Sequence, residues 1–217
     1  VVCLLMMAAF YVIPFPPKHP INAVPYSWEP WQSAPMMQQL YAGEYLVWTP
    51  YQIRNIGGYI LITSDIVRFG ACSYFLSIRN LDEWFIAGWV RLYSGEVHYF
   101  IMYQTVSNGY ACIISEVTPI VGDWIWVNIN HLGGNRWKAI MPKIRFNITV
   151  EFETYPDEFC ALGKSLDSCN KLRSTFSNLM WWSSESSFNY WGNSFFGTPS
   201  EVEIREDYPY HLIIHNE

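Results

Sequence analysis

Charged residues are scarce in this sequence. Asp, Glu, Lys and Arg make up 15% of the 217 residues, whereas a soluble domain usually carries about 25%. The 13 Lys and Arg residues are scattered along the chain, and the formal net charge is −6. Proteins that bind nucleic acid neutralise phosphates with clustered basic side chains. The composition therefore excludes a basic nucleic-acid-binding surface, and we expect no nucleic-acid partner.

The sequence also lacks the short motifs that bind metals, phosphates or dinucleotides. It contains no CxxC pair, no phosphate-binding P-loop, no dinucleotide-binding glycine fingerprint and no Gly-x-Ser-x-Gly nucleophile motif. Its five histidines are dispersed, and the closest pair, His211 and His215, would lie about 13 Å apart on a strand. We therefore expect neither a metal site nor a cofactor.

Cysteines are few and odd in number, namely Cys3, Cys72, Cys112, Cys160 and Cys169. Cys160 and Cys169 flank a polar segment and could close a small disulfide ring. Cys72 and Cys112 both lie in strand-like segments and could pair across strands, which would leave Cys3 for a second subunit. The alternative is that all five are buried thiols, because cysteine is among the most buried residue types.

Sustained helical periodicity is absent, and strand-like patterns take its place. From Lys143 to Thr154, apolar residues at 144, 146, 148, 150 and 152 alternate with polar ones, as in a strand with one buried face. Ser107-Asn-Gly109 between two apolar runs indicates a hairpin turn, and 156–170 has the composition of a loop. Strands that recur with Gly and Asn turns predict an all-β fold, an antiparallel two-sheet β-sandwich of jelly-roll type.

The first 13 residues carry no charge. They lack the basic segment that opens a secretory signal, and they are too short for a membrane-spanning helix, which needs about 20 residues. Prolines cluster from Pro14 to Pro35 and indicate an extended spacer. We therefore expect an extended apolar N-terminal tail with its spacer (1–17), retained and buried, followed by a single sandwich domain (18–217).

The apolar tail suggests a structural role. Donated as a strand to a neighbouring copy, it would polymerise an extracellular filament or surface layer, with identical subunits as partners. This donor-strand complementation would bury the side chains of Val1, Val2, Leu4, Leu5, Met6, Met7, Phe10, Val12 and Ile13. The alternatives are that the tail packs on its own sandwich as an edge strand or short helix, or that it inserts into lipid. The low charge and the 18% aromatic content favour an extracellular or cell-surface location.

Residues 85–180 resemble the glutamic peptidases, or eqolisins, a secreted β-sandwich family. The family strand Trp-Val-Gly-Ile-x-Gly and its later Gln-Thr-Gly are similar to Trp89-Val-Arg-Leu-Tyr-Ser-Gly95 and Gln104-Thr-Val106. The family's Tyr-x-Ala-Trp-Tyr-Glu-x-x-Pro segment is similar to the one from Tyr110 through Glu116 to Pro119. Its Ala-Glu-Trp-Ile motif is similar to Val150-Glu151-Phe-Glu153, although most of the family glycines are replaced here.

The resemblance implies an acid hydrolase in which a carboxylate and an amide activate water. Gln104 and Glu151 would form the catalytic pair, and Glu116 would lie in the substrate site. The alternative interpretation is that Glu151 and Glu153 simply lie on the solvent-exposed face of a strand and have no catalytic role. A third functional hypothesis is a carbohydrate-binding sandwich, with Trp181, Trp182 and Trp191 stacking on sugar rings. Asn147-Ile-Thr149 matches the acceptor pattern for N-glycosylation, which makes Asn147 a possible glycan site.

Overall fold

The structure is a computed structural model that describes residues 40–45, 53–64, 66–68, 70–80, 82–165, 170–183, 188–191, 195–197, 203–207 and 211–215. For 40–45, 195–197, 203–207 and 211–215 only the backbone is described. The predictions made for the apolar tail (1–17), for Cys3 and for Cys169 lie outside these residues. The tail's donation, its packing on the chain's own sandwich and its insertion into lipid are therefore not compared with the structure.

The described part of the chain forms fifteen strands and one short 3-10 helix, with no α-helix among them. β-Branched and aromatic residues fill the strands, as their packing on a pleated surface favours. The strands are β1 (Leu40–Tyr45), β2 (Ile53–Leu61), β3 (Ala71–Arg79), β4 (Trp84–Leu92), β5 (Val97–Thr105), β6 (Gly109–Ile114), β7 (Trp124–Gly133), β8 (Arg136–Met141), β9 (Phe146–Glu151), β10 (Glu158–Ser165), β11 (Arg173–Ser183), β12 (Phe188–Tyr190), β13 (Phe195–Gly197), β14 (Glu203–Asp207) and β15 (His211–His215), with the 3-10 helix at Pro142–Ile144.

Two antiparallel sheets pack face to face, which confirms the predicted β-sandwich. Sheet A has seven strands in the order β13-β1-β10-β3-β4-β5-β6. Sheet B has eight, in the order β14-β15-β11-β2-β7-β8-β9 with β12 beside β11. Consecutive hairpins build β3 to β6, and the turn predicted at Ser107-Asn-Gly109 joins β5 to β6, with Gly109 at a φ of 71°. Glycine adopts this left-handed conformation without the steric cost of a Cβ atom.

The main core lies between the sheets. Alternate residues of β3, β4, β5 and β10 meet alternate residues of β2, β7, β8, β9 and β11. Trp89 of sheet A is fully buried there, packs 4.8 Å from Tyr74, and donates its indole N–H to the Leu61 carbonyl of sheet B at 3.1 Å. The alternation predicted for 144–154 is confirmed on β9, where Val150 faces this core and Asn147 and Glu151 are exposed.

Sheet A also carries a second apolar cluster on its outer face, the face turned away from sheet B. The members have the opposite strand parity to the main core, and all are buried: Ala71, Phe75, Trp84, Ile86, Val90, Leu92, Phe100, Met102 and Cys112. Tyr110, Ile114 and Leu162 pack against them. The central strands of sheet A are therefore buried on both faces, which explains why their sequences are continuously apolar rather than alternating.

The segment from 156 to 170, predicted as a loop, instead contains β10. This strand pairs with β1 on one side and with β3 on the other. Its sequence, EFCALGKS, mixes small, polar and apolar residues, so it lacks the alternation that marks a half-exposed strand. Burial on both faces, rather than local pattern, makes it a strand of sheet A.

The predicted pairing of Cys72 with Cys112 is wrong. Cys72 faces the main core from β3, whereas Cys112 lies in the outer cluster, so the two point to opposite faces of sheet A and form no bridge. Cys160 is buried on β10, and its predicted partner Cys169 lies outside the described residues. Two strand residues can be bridged only when their Cβ atoms point toward each other.

Within the described residues, no helix is long and apolar enough to cross a membrane.

Candidate functional site

Polar and charged side chains form a row across one end of sheet A. Strand register places Glu158 opposite Arg79, Arg79 opposite Trp84, and Trp84 opposite Gln104. Directly opposed residues of antiparallel strands point to the same face. Trp84 belongs to the outer cluster, so the whole row lies on the outer face. We call Glu158, Arg79, Trp84 and Gln104 the site row.

A bidentate ion pair occupies one half of the site row. Arg79 donates from Nε to Glu158 Oε2 at 2.6 Å and from a terminal nitrogen to Oε1 at 2.5 Å. The two side chains are 42% and 41% exposed, so water reaches the carboxylate from the open side. The fork of a guanidinium matches both carboxylate oxygens at once and therefore fixes the plane of the carboxylate.

Gln104 lies in the other half of the site row, beside two aromatic rings. It stands opposite Trp84 on β4 and opposite Tyr110 on β6. The Trp84 and Tyr110 rings meet edge to face with centroids 6.1 Å apart, and Gln104 itself is half-buried. Among the described residues no hydrogen-bond partner of the Gln104 amide is found; such an amide offers two N–H donors and one acceptor oxygen.

The amide and the carboxylate share one face but are not in direct contact. Three strand spacings separate Glu158 from Gln104 in the register, which is about 14 Å between their Cα atoms at 4.8 Å per strand. Both side chains leave the sheet on the same face, and Arg79 and Trp84 lie between them in the register. The row thus offers an acceptor for a water at the carboxylate and a donor for a carbonyl oxygen at the amide.

The neighbours of the site row on β10 are shielded from water. Cys160 lies two residues after Glu158 on the same face, and its Sγ is 4.0 Å from Glu158 Oε1. Burial, reinforced by the Glu158 charge, raises the pKa of Cys160 to about 12. Farther along the strand, burial and then the charge of Arg79 lower the pKa of Lys164 to about 8. Cys160 and Lys164 therefore lie in a desolvated part of the outer face, next to the more exposed ion pair of Arg79 and Glu158.

The structure does not bring the sequence-predicted pair together. Gln104 points out from sheet A, whereas Glu151 is exposed on the outer face of sheet B, on edge strand β9. The Glu151 backbone N–H approaches the β5–β6 turn by donating to Asn108 Oδ1 at 2.7 Å, but the side chain faces away from that sheet's core. Glu116 is exposed beyond the far end of β6, about 20 Å along the strand from Tyr110.

Sequence reasoning missed Glu158, although a signal for it was present. The family motif Ala-Glu-Trp-Ile contains a Glu followed by an aromatic residue, and both Glu151-Phe152 and Glu158-Phe159 have that pattern. Only Glu158 lies in the same sheet and on the same face as Gln104. Because the segment around Glu158 was predicted to be a loop, Glu158 was not considered as an alternative to Glu151.

Other predicted sites have different outcomes. Trp181 and Trp191 are buried in the main core, so they cannot stack on sugars. Trp182 is half-buried, so of the three tryptophans it alone still supports the carbohydrate-binding hypothesis. Asn147 is exposed on β9, and its glycosylation stays a prediction. Among the described residues, no three His, Cys, Asp or Glu side chains are grouped to hold a metal ion.

Solved structures of glutamic peptidases share this fold. Scytalido-glutamic peptidase with a transition-state analogue inhibitor superposes with a TM-score of 0.57 at 9% identity. The same peptidase with a peptide-based transition-state analogue gives 0.56 at 8% identity. SCP-B, a member of the eqolisin family bound to the tripeptide Ala-Ile-His, gives 0.53 at 9% identity. Each comparison covers 83% of this chain and 100% of the other chain.

These comparisons confirm the resemblance noted on residues 85–180, at the level of fold and over most of the chain. No protein-family model matches the sequence, and no curated protein sequence matches it significantly. At such low identity the likeness to the peptidases is one of fold.

The prediction of a filament or surface-layer subunit is wrong. It rested on the uncharged tail, with Val1 to Ile13 as the assembly strand, and it made structural self-assembly the function of the chain. The structural neighbours are peptidases instead.

Proposed function

We propose that this chain is a peptidase-like hydrolase that uses Glu158 and Gln104 on the outer face of sheet A. The observation that carries the proposal is the site row, which supplies a carboxylate and an amide on one face of a sandwich with a glutamic-peptidase fold. Fold alone does not establish an activity, so the row and the fold support the proposal together.

In this proposal Glu158 is the general base. Its carboxylate takes a proton from a bound water as the water oxygen attacks the carbonyl carbon of a peptide bond. Gln104 donates an amide N–H to the carbonyl oxygen as it becomes an oxyanion. When the tetrahedral intermediate collapses, the carbon–nitrogen bond breaks and the protonated Glu158 returns its proton to the leaving amine.

Arg79 has a supporting role in the same scheme. Its bidentate contact occupies one lone pair on each Glu158 oxygen and leaves the others open to water, since a carboxylate offers about four acceptor positions. The ion pair sets the orientation of the base.

We also propose that the enzyme acts outside the cell and at acid pH. The low charge content and the aromatic-rich composition support the location, and the resemblance stated above supports the acid optimum. We do not propose that the enzyme assembles with identical subunits.

Three substitutions in the full chain test the catalytic assignment. Wild type, Glu158→Gln, Gln104→Ala and Glu151→Gln are incubated with a denatured protein and a peptide library between pH 3 and pH 7, and new termini are counted by mass spectrometry. Wild type is expected to cleave. Glu158→Gln and Gln104→Ala should each lose about 10²-fold or more in kcat, as removal of a general base or an oxyanion donor does.

Glu151→Gln is the matched control, because it makes the same chemical change on the outer face of sheet B. It should keep wild-type activity. Cleavage by Glu158→Gln at the wild-type rate would refute the assignment of the base. Absence of cleavage by wild type across the whole pH range would refute the proposed function.

A further inference from the structure

A buried carboxylate lies directly behind the site row. Glu83 occupies the turn between β3 and β4, immediately before Trp84, and is only 2% exposed. A buried ionised carboxylate is costly unless hydrogen-bond donors surround it. The hydrogen-bond donors around Glu83 therefore determine how it can be buried at this position.

The donors to Glu83 come from three separate segments. The Val106 backbone N–H donates to Oε1 at 2.9 Å. The Glu153 N–H approaches both oxygens, at 3.0 and 2.9 Å, with the Thr154 N–H at 3.5 Å. The Asn80 side-chain amide donates to Oε2 at 2.9 Å. In every one of these contacts the Glu83 carboxyl oxygens accept, so the donors of three segments converge on one side chain.

The segments joined by Glu83 are those that carry the site row. Val106 follows Gln104 by two residues, Asn80 follows Arg79 directly, and Glu83 precedes Trp84. Thr154 leads through a short link to Glu158. That link is also fixed to β3, because the Asp157 N–H donates to the Arg79 carbonyl at 3.1 Å.

We propose that Glu83 is a positioning residue for Glu158 and Gln104. The inference rests on the proposed function and extends it. Strand ends are the least constrained part of a sheet, yet the site row lies at such an end. The buried Glu83 carboxylate binds to the β3–β4 turn, the β5–β6 turn and the link after β9. It thereby fixes the distance between the base, Glu158, and the amide, Gln104. A misplacement of 1 Å in such a pair can cost about 10²-fold in rate.

The test compares Glu83→Gln with Asp82→Asn. Glutamine places an NH2 group among N–H donors, so at least one contact becomes repulsive. Asp82 is exposed in the same turn, and its substitution removes the same charge without touching the carboxylate cluster. We expect Glu83→Gln to lose about 10²-fold in kcat with KM within a few-fold of wild type, the pattern of a misplaced catalytic group. Asp82→Asn should match wild type.

A second measurement reads the site row independently of activity. The Arg79 Nε–H donates to Glu158, so its proton resonance in NMR spectra reports that ion pair. In folded Glu83→Gln we expect this signal to move toward the position of a solvated arginine. If the wild type proves inactive, the proposed function fails, and this signal alone decides the role of Glu83.

Asn80→Ala covers the case in which Glu83→Gln does not fold. It removes the Asn80 donor to Glu83, together with the contacts of Asn80 to Thr154 and to the Asp82 and Glu83 N–H groups, and leaves the backbone donors to the Glu83 carboxylate in place. A smaller loss of kcat, about 10-fold, and a smaller shift of the Arg79 signal are therefore expected. An unchanged Arg79 signal together with an unchanged kcat, in folded Glu83→Gln or in Asn80→Ala, overturns the proposal. A changed thermal unfolding temperature, with the Arg79 signal and kcat both unchanged, also overturns the proposal. A residue with a purely structural role would change only stability.

Discussion

The two sheets differ most in their outer faces, the faces turned away from the main core. On sheet A the outer face is apolar and buried along its centre, and it carries the site row at one end. On sheet B the outer face of β7, β8 and β9 alternates between exposed and half-buried residues, as on a sheet that meets water. Within the residues whose side chains are described, the outer face of sheet A places a carboxylate and an amide beside a buried apolar cluster. Donors and acceptors act more strongly on a developing charge where bulk water is excluded.

The largest effect that tests this comparison is expected at Gly88, on the outer face of β4. A Cβ atom there would lie 2.0 Å from the Tyr74 carbonyl oxygen and 2.6 Å from the Phe75 Cα, both backbone atoms. Gly88→Ala must therefore displace β3 and should cost about 4 kcal/mol or more in the free energy of unfolding, measured with urea.

Gly57→Ala on sheet B is the matched control for Gly88→Ala. Its Cβ would meet the Trp126 ring at 2.8 Å, which is a side chain that can rotate away. A cost of about 1 kcal/mol is expected. Equal costs for the two variants would show that sheet A is no more tightly constrained than sheet B.

An intermediate effect is expected from truncation on the two outer faces. Phe100 is fully buried in the outer cluster of sheet A and meets Phe75 edge to face, with centroids 6.2 Å apart. Phe100→Ala should cost about 3–5 kcal/mol, as in a true core. Thr149→Ala on the exposed side of β9 should stay within about 0.5 kcal/mol. A small cost at Phe100 would mean that the outer face of sheet A is not a second core.

The smallest effect concerns pH and Lys164. Its pKa is lowered to about 8 in the folded state from 10.5, chiefly by burial. Between these values the unfolded chain binds more protons than the folded chain, so stability should rise as pH increases from 8 to 10.5 and fall as pH drops through 8. Burial raises the pKa of Cys160 from 9.0 to about 12, which lowers stability as pH rises above 9, so the Lys164 contribution is measured as a difference between variants. Urea unfolding across this range should give a more positive slope of the free energy of unfolding against pH in wild type than in Lys164→Met. Lys138→Met on sheet B, as control, should keep the wild-type slope.

The regular strands of sheet B show how much of the fold the local sequence pattern predicts. The alternation around β9 predicted both the strand and its buried face, because a half-exposed strand must repeat every two residues. The Asn-Gly turn between β5 and β6 was equally readable, since positive φ favours glycine. The overall class, a two-sheet antiparallel sandwich, followed from such segments.

Sheet A shows where local pattern fails. β10 was read as a loop because a strand buried on both faces has no alternation to display. Cys72 and Cys112 were paired because both lie in strands, but strand parity sends them to opposite faces. The choice between Glu151 and Glu158 has the same origin, since both have an aromatic neighbour and only the pairing of β10 with β3 distinguishes them.

The sequence by itself determined the all-β class, the hairpin that presents Gln104, and the scatter of the 13 basic residues along the chain. These follow from local backbone preferences and from composition. Tertiary structure alone decided which carboxylate shares a face with Gln104, which cysteines could meet, and which sheet is buried twice. Each of those depends on strand register between segments far apart in the chain, and a register shift of one residue reverses every face.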